Sequence, residues 1–360
     1  MTQRAIALLG RKDEPTDAVE EYCRYLGTAL RAHDIQLEIH CVPWQIHGWS
    51  EALNALRLQA TFWRGTWVLV QYTALAWSEH GFPQKFLHAV EILKAAGART
   101  GIVFHDNEPY PGKRIVDHIR RSIQVRTMRC GLATADIGIF TVPPKKISWR
   151  PKSDARVEFI PVGPNLPIPA EFPPRATQNG VPVVGVFGIT GGAAGTRETE
   201  VILCTVRQAA QQLGSLRLSV FGRHAELREQ NLREGLQDVP VELTVEGVIS
   251  PAEVVERLVA CDALLFVRGG ISSGRGSAIA GIACRIPVVA CADGETAYPI
   301  AEAGVVLASP PVLEELPAAL VRVLSDNDLR VALRLRNSLV YSKYFSWAAI
   351  ATRFAELLGH

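Results

Sequence analysis

Residues 182–192 have the sequence PVVGVFGITGG, a short β-branched run that passes directly into a glycine-rich turn. A strand, such a turn and a following amphipathic stretch are typical of a βαβ unit, in which helices join parallel strands. The stretch before it, GPNLPIPAEFPPRATQNG (163–180), holds five prolines and has no periodic pattern. The sequence therefore predicts an interdomain linker followed by a second domain.

The alternation of strand and helix patterns continues through both halves of the chain. The first half has six predicted strands: AIALL, IQLEIHCV, TWVLVQY, GIVFHD, DIGIFTV and VEFIPV. The second half has six more: PVVGVFG, LRLSVFG, VELTVEG, ALLFV, IPVVAC and GVVLA. We expect a helix from about Ala18 to His33, capped by Thr16 or Asp17.

These patterns predict an α/β fold with two Rossmann-like, doubly wound domains facing a cleft. The expected division is an N-terminal domain over 1–165, a linker over 166–180 and a C-terminal domain over 181–340. The remaining segment, 341–360, contains a helix from about Trp347 to Leu358, which we expect to pack back on the first domain.

Composition narrows the class of protein. The chain has 360 residues, 48% of them hydrophobic and 21% charged, with a formal net charge of +2. These values indicate a globular protein and argue against a dedicated nucleic-acid binder. Seven scattered cysteines without Cys-x-x-Cys spacing indicate reduced thiols and no structural zinc. With no predicted signal peptide or membrane span, we expect a soluble, cytoplasmic protein.

Three segments of the second half are similar to segments of a known protein family. They are VVGVFGITGG (183–192), VEGVISPAEVVERLVACDALLFV (245–267) and SAIAGIACRIPVVAC (277–291). Their order and spacing resemble the donor-binding domain of family-4-like GT-B glycosyltransferases (glycosyltransferase group 1). In the first half, VFHD at His105 and IPVGPNLP (160–167) are similar to the same family. The resemblance implies a hexosyltransferase-type enzyme with a nucleotide diphosphate sugar as donor, UDP- or GDP-linked.

The chain departs from that family where the donor is normally held. The paired acidic residues, eight apart in the family, would fall on Ser272 and Ala280. The basic pair of the second domain would fall on Ile189 and Ala194. The resemblance therefore implies the fold and the donor class, while the groups that bind sugar, ribose and diphosphate must differ.

Glycine-rich turns in the second half predict a phosphate site. GGISSGRGS (269–277) lets the backbone approach an anion, and Ser277 is the expected N-cap of the next helix. Arg275 adds a bidentate charge and the Ser hydroxyls add donors. We expect these residues to bind the donor: Gly188, Thr190, Gly191, Gly192, Arg197, Arg223, Val248, Ser272, Ser273, Gly274, Arg275, Gly276 and Ser277.

Two loops of the first half carry candidate acid/base groups. FHDNEPY (104–110) places His105, Asp106 and Glu108 after a predicted strand, and an imidazole with a pKa near neutral suits proton transfer. The alternative loop is WSEHGFP (77–83), in which Glu79 and His80 are acceptor-side candidates and Trp77 is expected to stack on a sugar.

A basic stretch suggests an anionic partner. From Lys113 to Arg156 there are eleven Lys and Arg residues against three acids. We expect peripheral contact with the inner face of a membrane or with a lipid-linked acceptor, and Trp149 of PPKKISWRPK (143–152) is expected at the headgroups.

Two functional hypotheses remain open from the sequence. The first is sugar transfer to a hydroxyl of a sugar or lipid-linked acceptor, in cell-surface polysaccharide or glycolipid synthesis. It is expected to need no metal or other cofactor, since no Asp-x-Asp motif ends a strand of the donor domain. The second is a catalytically degenerate GT-B protein that serves as a binding or scaffolding subunit.

Overall fold

The structure is a computed structural model that describes residues 2–12, 17–110, 112, 114–150, 156–172, 180–309 and 312–359. The chain divides into two compact units, Met1–Val162 with Trp347–His360, and Gly163–Ser346. Part of the expected linker, residues 173–179, lies outside the described residues, as does the candidate cap Thr16.

The first unit is built on a six-stranded parallel sheet: β1 (Gln3–Leu9), β2 (Ile35–Cys41), β3 (Trp67–Tyr72), β4 (Arg99–Phe104), β5 (Ile137–Phe140) and β6 (Val157–Phe159). Across the sheet the order is β2-β1-β3-β4-β5-β6. The main connecting helices are α1 (Ala18–Leu30), α2 (Trp44–Ala60), α3 (Gln84–Ala95) and α4 (Ile115–Thr134).

Burial explains the strand sequences of this sheet. All six residues of β3, WVLVQY, are buried, so the strand lacks the polar alternation of a half-exposed sheet. Parallel strands covered by helices on both faces have this continuous apolar character. The Asp17 carboxylate accepts hydrogen bonds from the Val19 and Glu20 amides at 2.8 and 2.9 Å and supplies the expected cap of α1.

The second unit has its own six-stranded parallel sheet: β7 (Val183–Phe187), β8 (Leu216–Phe221), β9 (Val241–Glu246), β10 (Ala263–Gly270), β11 (Val288–Cys291) and β12 (Val305–Ala308). The order is β12-β11-β10-β7-β8-β9. Its helices are α5 (Gly192–Leu213), α6 (Glu229–Leu236), α7 (Pro251–Ala260), α8 (Gly276–Ala283), α9 (Val312–Ser325) and α10 (Asn327–Val340). The prediction of two doubly wound α/β domains is confirmed.

A buried asparagine of α10 forms hydrogen bonds to the turns that precede two strands of the second sheet. Asn337 has no exposed surface, and its side chain accepts from the Gly304 amide at 2.7 Å and donates to the Ile286 carbonyl at 2.6 Å. Both backbone groups lie in turns that lead into β11 and β12. The amide therefore satisfies two backbone groups that would otherwise be buried without partners.

The last helix, α11 (Trp347–Leu358), belongs to the first unit. The Trp347 ring stacks on Tyr25 with centroids 5.6 Å apart. The Leu358 carbonyl accepts hydrogen bonds from Trp67 Nε1 at 3.0 Å and from Gln3 Nε2 at 2.8 Å. Among the helices that the structure describes, none is long and apolar enough to cross a membrane.

Candidate functional site

The second sheet has its topological switch point between β7 and β10, which pair in parallel at its centre. From β7 the chain continues to β8 and β9 on one side, and from β10 to β11 and β12 on the other. Open α/β sheets bind ligands outside the carboxyl ends of their strands at such a point. The expected donor-binding residues follow the ends of β7, β8, β9 and β10 or begin the helices after them.

The turn after β7 requires glycine at several positions. Gly188 and Gly192 have φ angles of 76° and 63°, a region that side chains disfavour. At Gly195 an added Cβ would lie 1.9 Å from the Thr190 carbonyl oxygen. The N-cap of α5 is Gly191, and no side chain caps this helix. Its first backbone N–H groups therefore face the carboxyl edge of the sheet without a side-chain acceptor.

The turn after β10, like the turn after β7, packs so closely against its neighbours that it requires glycine. Gly269 has φ 75°, and a Cβ at Gly270 would lie 1.9 Å from the Asp293 carboxyl carbon. Ser272 and Ser273 are buried, each with 1% of its surface exposed. The hydroxyls of this turn are thus held within the fold, while Gly274 is half-buried.

The expected cap of α8 was wrong. The helix begins at Gly276 and its N-cap position is Arg275, so Ser277 occupies the second helical position. The reason is backbone conformation: Arg275 is extended, with φ −98° and ψ 91°, and its carbonyl accepts from the Ala278 and Ile279 amides. No side chain caps α8, which leaves its N-terminal N–H groups at the same edge as those of α5.

Arg268, which no sequence motif singled out, lies near the end of β10. Its Nη1 atom lies 3.7 Å from where a Cβ of Gly188 would be, so its side chain reaches the β7 turn. Arg268 is exposed, yet its side chain lies partly against protein atoms, which desolvates the guanidinium. This desolvation lowers the pKa of Arg268, as do the charges of Arg275 and Arg223, while the Glu198 carboxylate raises it. The charges of Arg223 and Arg275 therefore act on Arg268 at the switch point.

The turns after β7, β8 and β9 form a hydrogen-bonded row. The Ile189 amide donates to the Arg223 carbonyl at 3.0 Å, and the Gly222 amide donates to the Gly247 carbonyl at 2.9 Å. Val248 and Leu227 near the end of this row are 57% and 65% exposed. The edge therefore combines charged groups at the switch point with exposed aliphatic surface farther along.

In the first unit, His105 follows β4 and is half-buried. Its Nε2 lies 2.9 Å from Gln71 Oε1, and Gln71 Nε2 donates to the Leu69 carbonyl at 3.0 Å. This amide orientation makes the imidazole donate through Nε2–H and keep its lone pair on Nδ1. The Tyr22 ring meets the imidazole edge-on at 5.0 Å.

The environment of His105 favours the neutral form of its imidazole. Burial lowers its pKa from 6.5 to about 4, and the nearby Asp17 carboxylate opposes that shift only in part. The imidazole is therefore neutral at neutral pH, and the expectation of a pKa near neutral was wrong. A neutral imidazole accepts a hydrogen bond through Nδ1 but is a weak base.

The other acid/base candidates of the first unit share a groove of about 510 Å³. Glu79, His80, Asp106 and Glu108 line it together with Tyr110 and Arg120. The groove thus unites the two candidate loops, whereas His105 is not among its lining residues.

Two of the groove carboxylates also hold the surrounding loops. Asp106 Oδ2 accepts from the Ala74 amide at 2.8 Å. Glu108 accepts from the Ser148 amide and hydroxyl, both at 2.6 Å. Glu79 is exposed and is the candidate of this groove best placed to meet a substrate hydroxyl.

No protein-family model matches the chain, and no curated protein matches its sequence. Solved structures do match. Sucrose-phosphate synthase from Thermosynechococcus elongatus has a TM-score of 0.71 and 17% identity, covering 99% of this chain and 98% of its own. Anabaena HepE in complex with UDP and glucose has a TM-score of 0.66 and 14% identity over 99% of both chains. A glycosyltransferase from Rickettsia africae has a TM-score of 0.66 and 14% identity, covering 99% and 98%. The chain has the GT-B fold.

Within this GT-B fold three of the four positions of the missing pairs, Ile189, Ala194 and Ala280, carry apolar side chains, and the fourth is the buried Ser272. Ile189 and Ala280 are each 1% exposed, and Ile189 packs in the hydrophobic core of the second unit. Ala194, in the first turn of α5, carries no functional group. Arg197, one of the expected donor-binding residues, lies on the exposed surface of α5. Arg223 follows β8, Arg268 lies in β10 and Arg275 is the N-cap residue of α8, so these three are the candidates to supply positive charge at the switch point.

Two tryptophan predictions were wrong. Trp77 has no exposed surface, because its ring packs against Trp49 and Phe86 and its Nε1 donates to the Gln71 carbonyl at 2.9 Å. It presents no face to a sugar. Trp149 is 2% exposed and donates to the Asn107 carbonyl, so it does not reach a headgroup layer.

Proposed function

We propose that the protein is a glycosyltransferase that moves a sugar from a nucleotide-sugar donor to a hydroxyl group of an acceptor. The observation that carries the proposal is the placement of Arg223, Arg268 and Arg275 in or beside the turns that lead to two helix N-termini without a side-chain cap. Structural neighbours support it: HepE has been solved with UDP and glucose and with UDP-glucose, and another neighbour is a lipopolysaccharide outer core galactosyltransferase.

The arginines suit the diphosphate of such a donor. Guanidinium groups bind phosphate oxygens in a bidentate manner, and helix N-termini attract anions through their N–H groups and dipole. Transfer of the sugar leaves negative charge on the departing nucleoside diphosphate, and fixed positive groups stabilise that charge as it develops. The exposed Val248 and Leu227 lie along the same edge and would pack on the nucleoside.

The first unit would supply the acceptor side. Glu79 and Asp106 line the groove of about 510 Å³ and are candidates to remove the proton of the acceptor hydroxyl. His105, neutral and held by Gln71, would instead accept a hydrogen bond from a substrate hydroxyl through Nδ1. The proposal requires no resident metal ion or cofactor, since the arginines provide the stabilising charge.

Calorimetry with UDP and GDP tests the donor site. Replacing Arg268 by Met removes a charged contact and should weaken nucleotide affinity by at least about tenfold, the loss of one hydrogen-bonded charge. The matched control is Arg233→Met, since Arg233 lies on the exposed face of α6 in an i,i+4 pair with Glu229. Equal affinities of the two variants would contradict the assignment.

The second hypothesis is a GT-B subunit that binds nucleotide sugar without turning it over. The observation that favours it is the burial of Ala280 and Ile189, which leaves the usual acidic and basic positions without functional groups. A protein that binds a nucleotide sugar but neither hydrolyses nor transfers it would support this second function. Release of nucleotide above the background rate would support the enzyme.

We further propose that the acceptor is lipid-linked or belongs to a cell-surface polysaccharide, with the protein at the inner face of a membrane. Exposed cations support this: Arg121, Arg126 and Arg129 line one face of α4, and Lys145 and Lys146 are exposed in the turn after β5. Clusters of exposed Lys and Arg are attracted to anionic lipids.

A further inference from the structure

Helix α10 packs on the second unit through one of its sides. Leu333, Asn337 and Val340 are buried, and they recur at i, i+4 and i+7, so they share that side of the helix. The Asn337 side chain also forms hydrogen bonds to the backbone of the turns before β11 and β12. The packing of α10 on its own unit therefore does not use the opposite side of the helix.

That opposite side carries a row of exposed aliphatic side chains, which we call the outer face of α10. Val331, Leu335 and Leu339 are 56%, 62% and 63% exposed and follow one another every four residues. With 3.6 residues per turn, Leu335 lies about 160° around the helix from the buried Leu333 and Asn337. A contiguous exposed apolar row of this kind marks an interaction surface.

The charges beside the outer face are divided between its two ends. Asp328 is exposed in the first turn of α10 and lies in line with Leu335. Arg336 is exposed in the second half of the helix, and Lys343 is exposed in the helical turn directly after it. The Glu302 carboxylate acts on Lys343, so this end keeps a surplus of one positive charge. The outer face is therefore acidic at its N-terminal end, apolar in the middle and basic at its C-terminal end.

We propose that the outer face of α10 binds the outer face of a second copy of this chain, with the two helices antiparallel around a two-fold axis at Leu335. Antiparallel pairing places Val331 of each copy against Leu339 of the other and brings Asp328 toward Lys343. Rows of side chains spaced by four are the ridges that interdigitate when two helices pack. Parallel pairing would instead oppose like charges at both ends. The outer face is thus complementary to itself in one orientation.

The size of the outer face sets the strength of this association. Helix α10 has 14 residues and is about 21 Å long, so the contact is smaller than the roughly 1,200–2,000 Å² that stable complexes bury. We expect a dimer in exchange with the monomer, with a dissociation constant on the order of 100 μM.

Sedimentation velocity of the full chain over a series of concentrations tests the outer face. The wild type should shift from monomer to dimer as its concentration rises. Leu335→Glu sets two like charges opposite each other at the axis and should weaken association by at least about tenfold. The matched control is Leu58→Glu, at a leucine of α2 that is 74% exposed, and it should leave association unchanged. Circular dichroism checks that each variant folds.

Charge exchange tests the orientation, and it also serves if Leu335→Glu does not fold. Asp328→Lys and Lys343→Glu should each weaken association by about threefold or more at low salt, and the double variant should restore it. A dimer that neither single variant weakens would overturn the antiparallel pairing.

Three results would overturn the proposal as a whole. One is a wild type that stays monomeric at about ten times the expected dissociation constant. Another is an equal loss of association in Leu58→Glu and Leu335→Glu. The third is a monomer that sediments with anionic vesicles through Leu335, since a lipid surface would then cover the outer face. Because nucleotide binding is not part of this inference, these results leave the proposed function unaffected.

Discussion

Acidification should destabilise the first unit through His105. The pKa of this imidazole is about 4 in the folded protein against 6.5 as its ordinary value, because burial disfavours the charged form. The unfolded chain therefore binds the proton more tightly. The stability that the neutral imidazole contributes is complete above about pH 6.5 and is lost as the pH falls toward 4.

The size of the effect follows from the two pKa values. At pH 5 the unfolded form is almost fully protonated at this position, whereas the folded form is mostly neutral. Since one pKa unit corresponds to about 1.4 kcal/mol, the free energy of unfolding should fall by about 2 kcal/mol between pH 7.5 and pH 5 from His105 alone. The variant His105→Gln keeps a donor for Gln71 Oε1 but cannot titrate, so it should lack this component.

Tryptophan fluorescence reports on the unfolding of the first unit, which contains His105. All seven tryptophans lie in the first unit: Trp44, Trp49, Trp63, Trp67, Trp77, Trp149 and Trp347. Urea unfolding followed by this signal at the two pH values gives the free energy for wild type and variant. The other titrating groups are common to both proteins and cancel in the difference.

An equal loss in wild type and variant would refute the burial argument. If His105→Gln fails to fold at pH 7.5, an NMR titration of the wild-type imidazole decides instead. A pKa near 4 would agree with the structure, and a pKa near 6.5 would contradict it.

Three more variants test other parts of the molecule. His105→Ala should lower turnover by about tenfold without changing nucleotide affinity, since one hydrogen bond to the substrate is lost; unchanged turnover would remove His105 from the site. Asn337→Leu should lower the unfolding free energy by about 2–4 kcal/mol in urea titrations followed by circular dichroism, because two buried backbone groups lose their partner. The exposed Asn231→Leu serves as control, and similar values for the two would be a contradiction. Reversal of Lys145 and Lys146 to Glu should reduce sedimentation with anionic vesicles, as added salt should; equal sedimentation would leave these lysines as ordinary surface.

The strands and the domain type were predictable because their signals are local. Each apolar run such as PVVGVFG carries its own burial pattern, and the glycine-rich turn after it follows directly in the chain. The predicted N-cap of α8, Ser277, lies two residues after the observed one, because the backbone turns into the helix at Arg275 although a serine near a helix start is a common cap. The residue types near the start of a helix do not by themselves decide which residue becomes the N-cap.

The site depended on contacts between distant residues. The sequence did contain a signal for Arg268, because it is the first polar residue after the apolar strand ALLFV and strand ends carry functional groups in such folds. The hydrogen bond between the Ser272 hydroxyl and the Glu295 carboxylate had no such signal, because it joins turns that follow two neighbouring strands. The lowered pKa of His105 likewise arises from its burial and from Gln71 and Tyr22, which no motif links to it. Trp77 was misplaced because an indole after a strand can face inward when a carbonyl accepts its N–H.

The central claim is that a nucleoside diphosphate binds at the β7/β10 switch point. Crystals of the protein soaked with UDP and with GDP test it most directly. The account predicts diphosphate density within hydrogen-bonding distance of the Arg268 guanidinium, over the N-termini of α5 and α8. A nucleotide bound elsewhere, or an unoccupied switch point at saturating concentrations of both nucleotides, would contradict the account.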